Sequence, residues 1–238
     1  MAEGPRADVP RADVPRADAL RADFLRDGWA VTGPVLGAAD IAALNAGFDA
    51  VVDDAVRAAR YPSRAACLRV VQLWHDPWRV APAYRDLLGN TVILGLARAV
   101  LGCDDVRLLA QRVVVKTPDG RTPLPWHQDL PHWPVADGPG ALLWIALDPV
   151  DGTSGGLRYV SGSHTSDLPP TGTEAAAPAV PAGHVLVHHP QVWHAASSNR
   201  STSWRRACLV GVADARVPRK DGAAWDPARA PLLPWSLG

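Results

Sequence analysis

The stretch ALLWIALDPVDGTSGGLRYVSGSH, residues 141–164, holds two short apolar runs separated by a cluster of Asp, Pro, Gly, Thr and Ser. Apolar runs of this length between turn-forming residues predict β-strands. Three similar runs flank it, VRLLAQRVVVK at 106–116, HVLVHH at 184–189 and RRACLVGVA at 205–213. Because the runs follow one another without intervening helices, they predict a β-barrel or sandwich and not a parallel doubly wound sheet.

The first hundred residues have the apolar spacing of helices instead. Helices are predicted from about Leu20 to Gly28, over IAALNAGFDAVVDDAVRAAR at 41–60, and over YRDLLGNTVILGLARAVLG at 84–102. A brief strand is predicted at 29–32. The fold class is therefore expected to be mainly β with flanking helices. Helices at about 20–102 would support a core at about 103–215, within a single domain spanning 20–238.

Two segments have neither a helical nor a strand period. Residues 1–19 contain the repeat PRADV, in which proline removes a backbone donor at every fifth position, so this start is expected to be disordered. The segment from Asp167 to Pro181 is rich in Pro and Ala and is predicted to form a loop over one mouth of the barrel.

Composition and charge narrow the class of partner. The 238 residues include 24 Lys plus Arg and 24 Asp plus Glu, which predicts neither nucleic-acid nor anionic-lipid binding and favours a small-molecule substrate. No 18-residue apolar window and no signal-peptide pattern occur, so no membrane association is expected. The chain has three cysteines, Cys67, Cys103 and Cys208, which are far apart in the sequence. This odd number and wide spacing do not indicate a disulfide framework and favour a reducing cytoplasm.

The segment WHQDLPHWPV, residues 126–135, contains a candidate metal-binding pair. Side chains alternate along a strand, so His127 and Asp129 can point to one side and offer a nitrogen and a carboxylate oxygen to a single ion. A third ligand must come from elsewhere, and HHPQVWH offers His188, His189 and His194. Two histidines and a carboxylate that leave coordination positions open are typical of non-haem Fe(II) oxygenases.

The order and spacing of these motifs resemble the phytanoyl-CoA dioxygenase family of Fe(II)- and 2-oxoglutarate-dependent enzymes over about residues 105–213. The family pattern is HxD, a GG followed by a PGSH-like turn, a second histidine, an N-x-S, and an arginine eleven residues after that histidine. The corresponding positions are His127 with Asp129, Gly155 with Gly156, Ser161–His164, His194, Asn199–Ser201 and Arg205.

This resemblance implies a double-stranded β-helix, the cupin-like jelly-roll, with Fe(II) held by His127, Asp129 and His194. It further implies 2-oxoglutarate and O₂ as cosubstrates. The guanidinium of Arg205 is expected to bind the far carboxylate of 2-oxoglutarate, since its fork matches a carboxylate with two parallel hydrogen bonds. The adjacent arginine should point to the opposite face of the strand. Trp144 is a further candidate for contact with 2-oxoglutarate.

Other polar residues near these motifs are candidates for supporting roles in the site. Gln111 lies on the strand before HxD, and its side chain is a candidate for pointing into the cosubstrate pocket. The resembled family often has a histidine where His189 stands, so this side chain is expected to support a ligand through a hydrogen bond, while His188 is expected to face the other way. Three positions depart from the family pattern without removing a ligand: Ser161, His184 and Ala196.

The expected activity is hydroxylation of an unactivated carbon in a small, mostly apolar metabolite, with natural-product tailoring as a candidate setting and with release of succinate and CO₂. Desaturation or cyclisation with the same cofactors remains an alternative. So do a zinc-dependent hydrolase and a non-catalytic jelly-roll binding module. A zinc hydrolase gives no reason for an arginine deep in the barrel, and a binding module would have an incomplete triad.

Overall fold

The computed structural model describes residues 17–58, 61–70, 72–118, 120, 122–166, 169–171 and 178–233. Residues 1–16, with most of the PRADV repeat, and the greater part of the predicted loop at 167–181 lie outside this range. The described chain forms a mainly antiparallel β core with helices packed against one side.

The core consists of two antiparallel sheets that form a jelly-roll, as the sequence predicted. The larger sheet has seven strands in the order β1, β7, β5, β9, β3, β10, with β2 also paired to β3, and the smaller has the order β4, β8, β6. The strands are β1 Trp29–Pro34, β2 Leu73–His75, β3 Val106–Lys116, β4 Leu124–His127, β5 Gly140–Ala146, β6 Leu157–Tyr159, β7 His184–His188, β8 His194–Ala196, β9 Arg205–Asp214 and β10 Leu232–Leu233.

The helices cover the outer face of the larger sheet. They are α1 Ala17–Asp27, α2 Ala38–Arg57, α3 Arg64–Val70, α4 Pro82–Gly89 and α5 Thr91–Leu101, whereas the short α6 Ser163–Ser166 follows β6. Helix α2 buries Leu44, Phe48 and Val52, and α5 packs on β5 and β9. In the described part of the chain, no helix combines the length and apolarity needed to cross a membrane.

Strand alternation divides the apolar side chains between two cores. Val185 and Val187 of β7 point toward the helices, whereas Leu186 belongs to the core between the two sheets. The strand register carries this alternation across the sheet, because Leu186 pairs with Trp144 and Trp144 pairs with Leu209. The candidate site lies on the inner face, between the sheets.

The helical region predicted at 84–102 is two helices rather than one. Asn90 has an extended backbone and caps α5, since its side-chain oxygen accepts hydrogen bonds from the amides of Val92 at 3.0 Å and Ile93 at 3.2 Å. Asparagine is favoured at this capping position because its oxygen satisfies amides that have no partner within the helix. The apolar periodicity on both sides hides this break. Helix α3 and strand β2 were not predicted.

Candidate active site

The register of the smaller sheet brings two distant histidines together. His127 ends β4 and stands directly opposite His194 on β8, and their ring centroids are 4.1 Å apart. On the other side of β8, His194 is the register partner of Tyr159. Directly opposed residues of an antiparallel pair have neighbouring side chains, so strand pairing alone makes a two-histidine centre.

Backbone hydrogen bonds fix the segment that carries Asp129. The amides of Asp129 and Leu130 both donate to the carbonyl oxygen of Pro190, at 2.8 and 2.9 Å. Pro190 lies in the connection between β7 and β8, so this contact ties the HxD segment to the strand that carries His194. The carboxylate is thereby held beside the two imidazoles.

The hydrogen bonds of the two imidazoles leave the same nitrogen free in each ring. Nδ1 of His127 lies 2.9 Å from the carbonyl oxygen of Pro125, and Nδ1 of His194 lies 3.0 Å from that of Val192. A carbonyl only accepts, so each Nδ1 carries the proton and each Nε2 retains its lone pair. One potential ligand atom from each of His127, Asp129 and His194 lies within 4.8 Å of the others. This donor set fits a divalent transition metal.

A chain of buried aromatic groups orients the carboxylate. Nε2 of His188 lies 3.2 Å from Oδ2 of Asp129, and the Tyr159 hydroxyl lies 2.9 Å from Nδ1 of His188. Tyr159 in turn stacks on Trp29 with ring centroids 4.9 Å apart. In the neutral ring whose Nε2–H donates to Oδ2, Nδ1 accepts the hydrogen bond from the hydroxyl of Tyr159. The other carboxylate oxygen faces His127, with Oδ1 3.9 Å from Nε2 of that ring.

The expectation for the adjacent histidines is therefore wrong. His188 faces the site, whereas His189 points toward the helices, where its ring centroid is 5.8 Å from Phe24 and 5.1 Å from His164. The reason is alternation along β7, which places His188 on the same face as Leu186. Resemblance to the family drew attention to the wrong member of the pair.

Burial and neighbouring groups hold the cluster in a state suited to metal binding. Burial lowers the pKa of His194 to about 3, with the nearby His188 acting in the same direction, so this imidazole is neutral at neutral pH. For Asp129, burial raises the pKa, but the hydrogen bond from His188 and the three nearby imidazoles outweigh it and bring the pKa to about 2. Neutral imidazoles and an ionised carboxylate are the forms that bind a metal.

The candidate ligands open onto a cavity of about 350 Å³ between the sheets. Much of its wall is apolar, from Leu142, Trp144, Leu157 and Leu209, and the exposed Leu73 and Leu124 also belong to its lining. The polar lining residues other than the three candidate ligands are Gln72, Arg112, Lys116, Thr122, His132, His188 and Arg205. A cavity of this size admits a small molecule beside the metal ligands.

Arg205 lies in this cavity and Arg206 does not, as the alternation along β9 predicts. Arg206 forms an ion pair with Asp148 at 2.8 Å on the other face. Arg205 is 1% exposed, and its Nη2 donates to the Gly155 carbonyl at 3.2 Å, while Nε and Nη1 are buried without an acceptor among the described residues. Burial lowers its pKa to about 10, so it stays charged at neutral pH. A buried guanidinium with free donors fits a ligand carboxylate.

A second cation, Lys116, stands next to Arg205. The two are register partners on β3 and β9, and Nζ of Lys116 donates to the carbonyls of Thr122 at 2.8 Å and Ser197 at 2.6 Å. Burial lowers the pKa of Lys116 to about 8, and the charge of Arg205 adds to this shift. Sequence reasoning missed this residue, although a lysine closing the apolar run Val113–Val115 is a usable signal.

The GG and N-x-S motifs shape the wall around these cations. Gly155 has φ +88°, and a Cβ placed there would lie 2.8 Å from both Cδ of Lys116 and the Ser197 carbonyl oxygen. Asn199 is fully buried, and its amide donates to the carbonyls of Lys116 and Thr117 at 3.2 and 3.0 Å. Both motifs therefore hold the backbone around the Lys116 and Arg205 side chains.

The remaining two candidates have different environments. Trp144 is 3% exposed and lines the cavity, and its ring centroid lies 5.4 Å from Cζ of Arg205. Gln111 lies on the opposite face of β3, where its side-chain amide donates to the carbonyl of Tyr84 in α4 at 2.8 Å. The expectation that Gln111 feeds the pocket is therefore wrong, because its register places it with Val113 and Val115 toward the helices.

Known proteins share this fold and sequence pattern. The family profile described as phytanoyl-CoA dioxygenase matches residues 24–207. A curated relative, the probable alpha-ketoglutarate-dependent hypophosphite dioxygenase of Stutzerimonas stutzeri, is 28% identical over 162 residues, which are 59% of this chain and 56% of that protein. The chain thus matches just over half the length of this relative.

Two solved structures from nogalamycin biosynthesis have the same architecture. The non-heme alpha-ketoglutarate-dependent carbocyclase SnoK superposes with a TM-score of 0.77 at 21% identity, over 97% of this chain and 99% of that chain. The epimerase SnoN, in complex with Fe³⁺, alpha-ketoglutarate and nogalamycin RO, gives 0.69 at 22% identity, over 91% and 98%. At these identities the likeness supports the fold. The family match across residues 24–207 shows that the chain belongs to the phytanoyl-CoA dioxygenase family of 2-oxoglutarate-dependent oxygenases.

Proposed function

We propose that this protein is an Fe(II)- and 2-oxoglutarate-dependent oxygenase in which His127, Asp129 and His194 hold the iron. The observation that carries the proposal is the meeting, in one cavity, of a two-histidine, one-carboxylate cluster and a buried arginine with free donors. A metal site alone suits several chemistries. The added guanidinium is what a dicarboxylate cosubstrate requires.

Arg205 would bind the far carboxylate of 2-oxoglutarate, and Lys116 would add a second positive charge beside it. Nε and Nη1 of Arg205 have no acceptor among the described residues, so the guanidinium keeps donors for a ligand carboxylate. Trp144 lies against this guanidinium and would limit the position of the bound cosubstrate. Together these residues would set which end of the molecule faces the iron.

When bound, iron and 2-oxoglutarate supply the oxidising power by activating O₂, with release of succinate and CO₂. The chain's own contribution is position and exclusion of water. Leu142, Leu157 and Leu209 give the cavity an apolar wall beside the ligand cluster. An apolar wall of this kind favours a small, mostly apolar substrate and keeps bulk water from the reacting carbon.

Hydroxylation of an unactivated carbon is the outcome we propose, because it asks of the protein only that one C–H bond be held near the iron. The same cofactors serve a carbocyclase and an epimerase among the structural relatives, so product analysis must separate these outcomes. A zinc hydrolase is less well supported, since it gives no role to Arg205. A binding module is less well supported because all three ligand residues are in place.

The proposal is tested by following the conversion of 2-oxoglutarate to succinate in purified protein. Formation of succinate should require Fe(II), O₂ and His127. It should persist in the control variant His75→Ala, because His75 is an exposed histidine outside the ligand cluster. Zn(II) should not replace iron. Succinate formation that His127→Ala leaves unchanged, or ester hydrolysis with zinc that is independent of 2-oxoglutarate, would contradict the assignment.

A further inference from the structure

Arg112 on β3 is a third cation of the cavity, separate from Lys116 and Arg205. Alternation places Arg112, Val114 and Lys116 on the inner face of β3, and all three line the cavity. Arg112 is four residues from Lys116, which is about 13 Å along an extended strand. At the other end of this row, Nζ of Lys116 is held by the carbonyls of Thr122 and Ser197.

The guanidinium of Arg112 has hydrogen-bonding capacity that the protein does not use. Its Nε is buried without an acceptor among the described residues, and within that part of the chain the side chain has neither an ion pair nor a hydrogen bond. A buried donor without an acceptor destabilises the protein unless a ligand supplies the acceptor. A guanidinium facing a cavity in this state is suited to an acceptor on a ligand.

Arg112 has a register partner on each side, and the partner on β2 is His75. Its register partner on β9 is Leu209, which in turn pairs with Trp144. Leu73 and Leu124, 39% and 43% exposed, line the same cavity, as does the exposed His132. Lys116 and Arg205 are buried, so Arg112 lies toward the more open part of the cavity.

The charges of the cavity point to an anionic ligand beyond the cosubstrate. Among the described lining residues, Arg112, Lys116 and Arg205 are the lysines and arginines, and Asp129 is the carboxylate. The positive charge of Fe(II) and the negative charge of 2-oxoglutarate offset each other. The filled site would keep a surplus of positive charge, which favours an acidic substrate.

We propose that Arg112 binds the carboxylate of a substrate whose remaining body is apolar, and so determines substrate class. This inference rests on the proposed oxygenase function and adds the chemistry of the substrate to it. A carboxylate is favoured over a phosphate because the single charge of one guanidinium balances a carboxylate, whereas a phosphate carries a charge of about −1.5 to −2 at neutral pH. The apolar body would lie against Leu209 and Trp144, with the acid group at Arg112.

The test uses protein loaded with Mn(II) and 2-oxoglutarate under argon, so that the cosubstrate occupies Arg205 without turnover. Calorimetric titrations then compare phenylacetate, 3-phenylpropanoate and 4-phenylbutanoate with their amides and with 3-phenylpropyl phosphate. At least one acid should bind about tenfold more tightly than its amide, since a charged hydrogen-bonded pair is involved. Arg112→Met should lower the affinity for the acid to that for the amide.

Arg158→Met is the matched control, because Arg158 lies over Trp126 beside a different surface, outside the cavity, and the preference for the acid should survive there. Equal binding of every acid and amide, or a preference retained in Arg112→Met, would overturn the inference while leaving the oxygenase function intact. Tighter binding of the phosphate would overturn the carboxylate assignment. Failure of Mn(II) and 2-oxoglutarate to bind would overturn the proposed function and this inference with it.

Discussion

Nε2 of His188 lies 3.2 Å from Oδ2 of Asp129, so a histidine outside the candidate ligand set fixes the orientation of the carboxylate within it. Tyr159 holds the other nitrogen of the same ring. Only one oxygen of Asp129 is then left to face the two candidate histidine ligands. The geometry of the cluster therefore depends on three elements, the segment after β4, the end of β7 and β6.

Replacement of His188 should weaken metal binding without unfolding the protein. His188→Phe removes the donor to Asp129 and keeps a planar ring in the core, and loss of such an outer partner typically costs 10–100-fold in metal affinity. We expect a loss of about that size in equilibrium dialysis against Mn(II). His189→Gln is the matched control and should bind Mn(II) as the parent does. Equal affinity of His188→Phe and parent would contradict the role given to His188.

Arg205 and Arg206 provide an adjacent pair for testing cosubstrate binding. Arg205→Lys keeps a positive charge but loses the bidentate fork, so the affinity for 2-oxoglutarate should fall about tenfold or more while metal affinity is retained. Arg206→Lys, on the outer face beside Asp148, should change neither affinity. Titration of the Mn(II)-loaded proteins with 2-oxoglutarate measures both. A loss confined to Arg206→Lys would mean that the roles are reversed.

Binding of 2-oxoglutarate should weaken as the pH rises through about 8. The lowered pKa of Lys116, about 8, means that this side chain is charged below that pH and neutral above it. A dianionic cosubstrate bound beside it favours the protonated form, so affinity is higher on the acid side. Lys116→Met should bind 2-oxoglutarate weakly at all pH values and should not show the fall in affinity near pH 8. A fall in affinity of equal size in the parent and in Lys116→Met would exclude Lys116 as its cause.

Replacement of Gly155 by alanine should destabilise the protein, whereas the same replacement at Gly152 should not. An alanine at Gly155 would need a left-handed backbone and would crowd Lys116 and the Ser197 carbonyl, which predicts a loss of about 1–3 kcal/mol in the free energy of unfolding. A Cβ at Gly152 meets nothing within 4 Å. Urea denaturation of Gly155→Ala and Gly152→Ala should give different midpoints. Similar midpoints would show that the GG turn is not under this constraint.

The strands could be predicted because their signals are local, and the candidate metal site could be predicted because its motifs match a family pattern. The run VRLLAQRVVVK matches β3 at both ends, and the HxD spacing indicated a strand end with two ligands. The face of the sheet to which each side chain points was harder to predict from the sequence. Val113–Val115 are apolar on both faces of β3, so no alternation in the sequence shows that Gln111 points toward the helices while Arg112 and Lys116 point into the cavity.

The error at the histidine pair has a related cause. Residues 185–188 of β7 are all buried, and the apolar residues fill cores on both faces, so polarity cannot assign His188 and His189 to a side. Pairing with the neighbouring strands fixes the assignment, because His188 stands opposite Leu142 on β5 and Trp29 on β1. Such pairing joins residues far apart in the sequence, and the same holds for the meeting of Lys116 with Arg205.

The most direct test of the central claim is the stoichiometry of Fe(II) and 2-oxoglutarate bound to the protein under argon, measured by equilibrium dialysis. The parent should bind one Fe(II) per chain, and one 2-oxoglutarate only when metal is present. His194→Ala should lose both, because two ligands do not retain the ion as three do. Fe(II) bound at parent affinity by His194→Ala, or 2-oxoglutarate bound equally with and without metal, would contradict the account.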